Sequence, residues 1–91
     1  MADTPTPDVT ILYFAWLRER VGVAEEQVSL PDWVRTVADL MNWLSERSPR
    51  HQAGFQNRGT IRCAVNQGFA DPSAVVRPGD EVAFFPPVTG G

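Results

Sequence analysis

Apolar side chains cluster or alternate along the chain in a way that predicts four β-strands and a short edge strand. The segment from Val9 to Ala15 gives the strongest strand signal, because β-branched and aromatic residues fill it. Residues 26–30 alternate polar with apolar side chains, which is typical of a strand with one buried face. Two further strands are predicted at 61–65 and 81–85, with an edge-strand stub at 69–70.

The first of these strands is apolar on both faces. Val9, Ile11 and Tyr13 share one face, and Leu12 and Phe14 share the other. A strand of this kind lies inside a sheet, or presents one of its faces to a partner.

A helix is predicted from Thr36 to Arg47. Thr36 and Asp39, three residues later, form a capping-box pattern at its start. A shorter helical turn is predicted over 16–21 and ends at Gly22. Four residues of the longer helix are spaced to form one apolar stripe: Val37, Leu40, Met41 and Leu44.

The order of these elements predicts an α+β domain of the β-grasp, or ubiquitin-like, arrangement. One main helix would cross one face of a mixed sheet whose first and last strands are parallel central neighbours. Residues 49–59 are polar and irregular, with room for one helical turn, and a tight turn is predicted at 66–68 with Gly68 supplying a positive φ. We expect a disordered N-terminal tail at 1–8, a β-grasp domain at 9–85 and a flexible C-terminal tail at 86–91.

Composition and charge restrict the function further. A chain of 91 residues provides one modest core and no deep cofactor cleft. Eight basic against eleven acidic residues argue against nucleic acid and anionic membranes as main partners. The longest apolar run is far shorter than a membrane span, and the acidic, proline-rich start does not match a secretory signal. A cytoplasmic location is therefore expected.

The side chains suited to chemistry are few. One cysteine and one histidine provide no metal-site spacing, so no metal site and no catalytic residue is predicted. Cys63 lies in an apolar strand and is expected to be a buried structural thiol. We expect His51, in a polar stretch, on the solvated surface. The acidic pairs Glu25–Glu26 and Asp80–Glu81 are likewise expected in turns or on solvated faces.

The last six residues are the most informative segment. Prolines cannot donate hydrogen bonds to a strand neighbour, so they end the last strand and send the chain out in an extended form. A Gly-Gly end has no side chains, can pass through a narrow channel, and can present its carboxylate to another protein's active site. Glycine is also common in frayed termini, but a stiff root on a core strand favours the reactive end. These residues are Pro86, Pro87, Val88, Thr89, Gly90 and Gly91.

A partner surface is also predicted on the last strand. Three tryptophans and five phenylalanines are more than one small core readily buries. Phe84 and Phe85 point to opposite faces, so one of the two is expected on an exposed apolar surface that meets a partner. The alternative is that loops bury both rings, and the sequence does not decide which phenylalanine faces out.

Four segments resemble the molybdopterin synthase small-subunit family of ubiquitin-like sulfur carriers. They are Ile11 to Arg18, Thr36 to Leu40, Ala64 to Gln67, and Val76 to Gly91. The last segment holds the most specific pattern, a Pro-Gly-Asp-Glu-Val turn followed by Phe-Pro-Pro-Val and Gly-Gly. The resemblance covers nearly everything from Val9 onward and leaves out the first eight residues.

This resemblance implies a sulfur carrier without catalytic residues or a bound cofactor of its own. An E1-like adenylating enzyme would use ATP to convert the carboxylate of Gly91 to an acyl adenylate, and a sulfur donor protein would convert it to a thiocarboxylate. Residues 86–90 would thread into the large subunit of molybdopterin synthase. There the sulfur would attack cyclic pyranopterin monophosphate during molybdenum cofactor biosynthesis.

Two alternative functions stay open. One is a related sulfur carrier for thiamine or cysteine synthesis, with the same fold and terminus, although the Phe-Pro-Pro-Val sequence favours the molybdopterin synthase subunit. The other is a ubiquitin-like domain that binds partners non-covalently and has an inert tail.

Overall fold

A mixed five-stranded sheet organises residues 8–87, the part of the chain that this computed structural model describes. Its strand order is β2-β1-β5-β3-β4, in which β1 and β5 are parallel and every other pair is antiparallel. The predicted α+β, β-grasp arrangement with a parallel central pair is confirmed. The strands are β1 (Val9–Tyr13), β2 (Glu25–Val28), β3 (Arg62–Val65), β4 (Gly68–Ala70) and β5 (Glu81–Phe85).

Three helices and one short 3₁₀ turn connect these strands. They are α1 (Ala15–Val21), α2 (Val37–Ser45), α3 (Pro49–Gly54) and the turn Arg58–Thr60. The main helix is therefore accompanied by two shorter ones. It begins as predicted and ends at Ser45, two residues before the predicted end.

One hydrophobic core lies between the helices and the sheet. Alternate strand residues face it, and the central register pairs Ile11 with Val82 and Tyr13 with Phe84. The predicted stripe of α2 is buried against them. Each large apolar side chain buried in this way contributes roughly 1.5–3 kcal/mol, so the β1–β5 pair and α2 together hold most of the fold.

The helix α3 packs closely on α1, which explains why a polar segment becomes ordered. A Cβ added at Gly54 would lie 2.9 Å from Cγ2 of Val21, so glycine permits the close approach. Arg50 of α3 donates hydrogen bonds to the carbonyls of Val21 (3.2 Å) and Glu19 (2.9 Å). These bonds satisfy carbonyl groups that the end of α1 leaves without helical partners.

The turn between β3 and β4 corrects one prediction. Positive φ angles occur at Asn66 (52°) and Gln67 (72°), whereas Gly68 was predicted to supply one and instead begins β4. Positive φ at both central residues is typical of the type I′ two-residue hairpin loop, whose twist matches that of its strands. The side chain of Asn66 stabilises the turn, because it donates to Asp80 (2.9 Å) and accepts from the backbone N–H of Glu81 (3.0 Å).

The capping box at the start of α2 gives a direct test of the helix signal. Thr36 Oγ1 accepts from the Asp39 N–H, and Asp39 Oδ2 accepts from the Thr36 N–H, each at 3.2 Å. Thr36→Ala should lower the free energy of unfolding by about 1 kcal/mol, measured by urea titration. Thr36→Ser keeps the hydroxyl and should lose much less. Equal losses in the two variants would contradict this role for the cap.

Candidate functional site

The C-terminal segment begins at a position that the core fixes. β5 is bonded to β1 on one side and to β3 on the other. At its end, the Phe14 N–H donates to the Phe84 carbonyl (3.1 Å), and Arg62 is the register partner of Phe85. Pro86 and Pro87 follow and are half-buried. Because neither proline has an N–H group to donate, the hydrogen-bonded pairing of β5 with β3 stops at Phe85.

The structure describes only the first two residues of the predicted tail. Pro86 and Pro87 are described, and they continue from β5 as the sequence predicts. Val88, Thr89, Gly90 and Gly91 lie outside the described residues, so the roles predicted for them stay predictions. The same holds for residues 1–7 of the predicted N-terminal tail.

The two phenylalanines predicted as partner-surface candidates, Phe84 and Phe85, lie on opposite faces of the sheet. Phe84 is fully buried, and its ring packs edge-to-face on Phe55 at 5.1 Å between ring centroids. The prediction of Phe84 as a partner-surface candidate is therefore corrected, because strand alternation turns its ring into the core. Phe85 points to the other face of the sheet, where its ring centroid lies 6.0 Å from that of Phe69.

An apolar band, partly exposed and partly half-buried, crosses the sheet face opposite the helices. One register row crosses four strands there, because Leu12 pairs with Ala83, Ala83 with Ala64, and Ala64 with Phe69. Phe69 is 88% exposed and Phe14 is 48% exposed. Contiguous exposed apolar surface of this kind marks an interaction site. We call it the open-face patch: Leu12, Phe14, Ala64, Phe69, Ala83 and Phe85.

A half-buried cluster of polar side chains forms that was not predicted from the sequence. Glu26 Oε2 accepts from Tyr13 Oη (2.6 Å) and lies 2.7 Å from His51 Nε2. The side chains of His51 and Glu26 are only 12% and 19% exposed, so the predictions that placed them on solvated surfaces are wrong. Ser48 caps α3 and turns His51 inward. A Ser-Pro pair, with serine as the cap and proline at the first helical position, was the available signal.

The cluster is satisfied by its own hydrogen bonds. A neutral His51 can donate from Nε2 to Glu26 while Nδ1 accepts from Ser48 Oγ, 2.7 Å away. Burial alone would raise the pKa of Glu26, but hydrogen bonds from Tyr13 and His51, together with nearby positive charge, lower it. Burial and the bond to Glu26 raise the pKa of Tyr13 above its ordinary value. The cluster therefore ties α3 and β2 to the end of β1.

Cys63 behaves as the predicted structural thiol. It is 6% exposed, and its Sγ–H donates to the Ala70 carbonyl at 3.3 Å. Burial raises the pKa of the thiol, and the charge of Asp71 raises it further, so the thiolate that nucleophilic chemistry requires is disfavoured.

Residues 8–87 hold neither a candidate metal-binding cluster nor a membrane-spanning helix. They contain no group of three or more His, Cys, Asp or Glu side chains arranged to hold a metal ion. Within the same residues, no helix combines the length and apolar character needed to cross a membrane.

The fold and site together define a ubiquitin-like β-grasp protein whose C-terminal segment leaves from the central strand beside an exposed apolar face. Comparison with known proteins then gives the family. The ThiS family model matches residues 11–91, and the chain belongs to the ThiS family.

Named relatives and a solved structure agree with this assignment. The molybdopterin synthase sulfur carrier subunit of Haemophilus influenzae is 34% identical, over 91% of this chain and 99% of that protein. The human protein of the same name is 37% identical, over 96% and 98%. A Pyrococcus furiosus structure, described as a putative molybdopterin converting factor, subunit 1, has a TM-score of 0.72 and 30% identity, over 91% of this chain and all of that one.

The polar cluster predicts a specific pH dependence of stability. The pKa of Glu26 is lower in the folded chain than its ordinary value of 4.5. Its carboxylate therefore stabilises the fold above that value, and the contribution is lost as the pH falls through the lower folded-state pKa. Glu26→Gln should cost about 1 kcal/mol at neutral pH, because the amide oxygen still accepts hydrogen bonds but the negative charge that strengthens them is lost.

Urea unfolding measured from neutral pH into the acid range checks this expectation. The difference between wild type and Glu26→Gln should shrink as the pH falls. Glu25→Gln removes the neighbouring exposed carboxylate of β2 and serves as the matched control. A pH-independent difference for Glu26→Gln, or an equal effect of Glu25→Gln, would show that the cluster does not carry this stability.

Proposed function

We propose that the chain is the sulfur carrier subunit of a molybdopterin synthase. The observation that carries the proposal is the fixed start of the C-terminal segment. β5 is held between two strands and ends at Pro86 and Pro87 beside the open-face patch, and the sequence then continues to a Gly-Gly end. Family membership and the relatives named as sulfur carrier subunits support the same function.

The reactive group in this proposal is the carboxylate of Gly91. A free carboxylate is a poor electrophile, because oxide is a poor leaving group. An E1-like adenylating enzyme joins the carboxylate to the α-phosphate of ATP and releases pyrophosphate. A sulfur donor protein then supplies sulfur at the sulfide level, which attacks the carbonyl carbon. The new carbon–sulfur bond replaces the bond to AMP, AMP leaves, and the chain ends in a thiocarboxylate. ATP is bound by the activating partner, and the carrier needs no cofactor of its own.

The tail delivers this group to the large subunit. Residues 88–91 reach at most about 14 Å beyond Pro87, so the folded domain must dock close to the channel that they enter. Gly90 provides clearance, because a side chain there would meet the channel wall. Pro86 and Pro87 hold the exit direction and reduce the ordering entropy that insertion costs. All of these encounters are proposed to take place in the cytoplasm.

Loading of the terminus tests the proposal directly. The chain is incubated with ATP, an adenylating enzyme and a sulfur source, and its intact mass is measured. The expected gain equals the exchange of one oxygen atom for sulfur at the terminus. Gly91→Ala should fold normally but load and transfer sulfur poorly. A folded wild-type chain that never gains sulfur would contradict the proposal and favour a ubiquitin-like domain that binds partners non-covalently.

The acceptor is tested separately. The loaded chain should bind a molybdopterin synthase large subunit and convert cyclic pyranopterin monophosphate to molybdopterin. Loading without this complex or this product would favour a carrier for thiamine or cysteine synthesis.

The open-face patch predicts where the large subunit docks. Phe69→Ser and Phe85→Ser remove exposed or half-buried rings from the face opposite the core. Each should weaken binding about tenfold or more, as the loss of an aromatic interface residue does, while the melting temperature changes little. Titration calorimetry with the large subunit measures the effect.

Val75→Ser is the matched control for these variants. Val75 is 50% exposed and lies outside the patch, bridged to Thr36 at the start of α2. If all three variants bind with the same affinity as wild type, the patch is not the docking surface.

A further inference from the structure

A second surface feature lies at the β4 edge of the sheet, on the side that faces α2. It is a groove of about 490 Å³. Its walls are mostly apolar, which favours an apolar side chain as the occupant. We call it the α2–β4 groove, and its apolar lining residues are Ala38, Met41, Ile61, Cys63, Ala70 and Pro72.

Two arginines, Arg58 and Arg62, also line the groove. Arg58 donates to the side chains of Asn42 and Ser45, and Arg62 donates to the carbonyl of Gly59 at 3.1 Å. These acceptors hold the guanidinium groups in place but carry no negative charge. Within residues 8–87, neither arginine has a carboxylate within salt-bridge distance.

The acidic residue of the groove does not neutralise these arginines. Asp71 accepts hydrogen bonds from the backbone and hydroxyl groups of Ser73. Those bonds lower the pKa of the Asp71 carboxyl, so it is engaged and ionised. The groove therefore combines an apolar floor with two arginines and one carboxylate, and its net charge is positive. In the described part of the chain neither arginine forms a salt bridge with that carboxylate or with another.

One residue of the groove, Arg62, lies beside the root of the tail. Arg62 begins β3 and is the register partner of Phe85, the last residue before Pro86. Cys63 and Ala70 line the groove, whereas the next register pair, Ala64 and Phe69, belongs to the open-face patch, so the groove and the patch lie on opposite sides of the β3–β4 edge. Arg62 shares the face of Phe85 and therefore lies at the rim between them. A partner that encloses the tail from the open face meets the groove by extending around that edge.

We propose that the α2–β4 groove receives an apolar side chain, flanked by a carboxylate, from the large subunit that accepts the tail. Arg58 and Arg62 would bind the carboxylate, because the planar guanidinium group matches carboxylate geometry and remains charged. This inference rests on the proposed function and adds to it a second contact that selects the partner. The activating enzyme would not use this groove.

Charge reversal tests the arginines. Arg58→Glu and Arg62→Glu should each weaken binding to the large subunit at least about tenfold, because a buried charge pair becomes a repulsive one. Arg77→Glu makes the same charge change at an exposed turn away from the groove and should bind within about twofold of wild type. The neutral variants Arg58→Gln and Arg62→Gln provide the same comparison should a glutamate variant fail to fold.

Filling the groove tests its apolar part without changing charge. Ala38→Leu places a larger side chain from α2 into the groove and should weaken binding comparably. The rate of adenylation by the activating enzyme should be unchanged in every groove variant, which separates loss of docking from general damage.

The outcomes separate this inference from the proposed function. Wild-type chain that fails to bind the large subunit would contradict the proposed function itself. Wild-type binding together with groove variants that bind as tightly as Arg77→Glu would overturn the groove proposal alone. Slower adenylation with unchanged large-subunit binding would assign the groove to the activating enzyme and would also overturn it.

Discussion

The parallel pairing of β1 with β5 is the constraint on which the rest of the structure depends. Its register places Ile11 beside Val82 and Tyr13 beside Phe84 in the core. Because side chains alternate along a strand, the same register turns Leu12 and Ala83 outward. A slip of one residue would exchange core and surface positions on the strand that shifts. Stability and the exposed apolar face are therefore fixed by one set of backbone hydrogen bonds.

The position of the tail follows from the same pairing. A strand at the edge of a sheet can fray, whereas β5 has a paired neighbour on each side up to Phe84, and on the β3 side up to Phe85. The polar cluster adds support at this end, because Tyr13 bonds to Glu26 and its ring stacks on Phe84 at 6.4 Å. The domain thus holds Pro86 in a defined place relative to the surface that a partner meets.

Sequence patterns predicted the elements that local chemistry determines. The two-sided strand at Val9, the capping box at Thr36 and the apolar last strand all formed as expected. The environment of His51 was not predicted, because it depends on long-range packing of α3 against α1 and β2. Alternation showed that Phe84 and Phe85 face opposite sides, but only the position of the helices decides which side is the core.

In a carrier the partner enzymes carry out the chemistry, so the surfaces that bind those partners matter more for function than any internal side chain. The reactive group in the proposed function lies beyond the last strand, so the folded domain affects the chemistry only through which partner holds it and for how long. A single apolar patch would serve the activating enzyme and the large subunit alike, and the two complexes would compete. Discrimination then requires a contact that one partner makes and the other lacks. Arg58 and Arg62 line an apolar groove, and Arg62 also lies beside the tail root, so the two guanidinium groups provide chemistry suited to that contact.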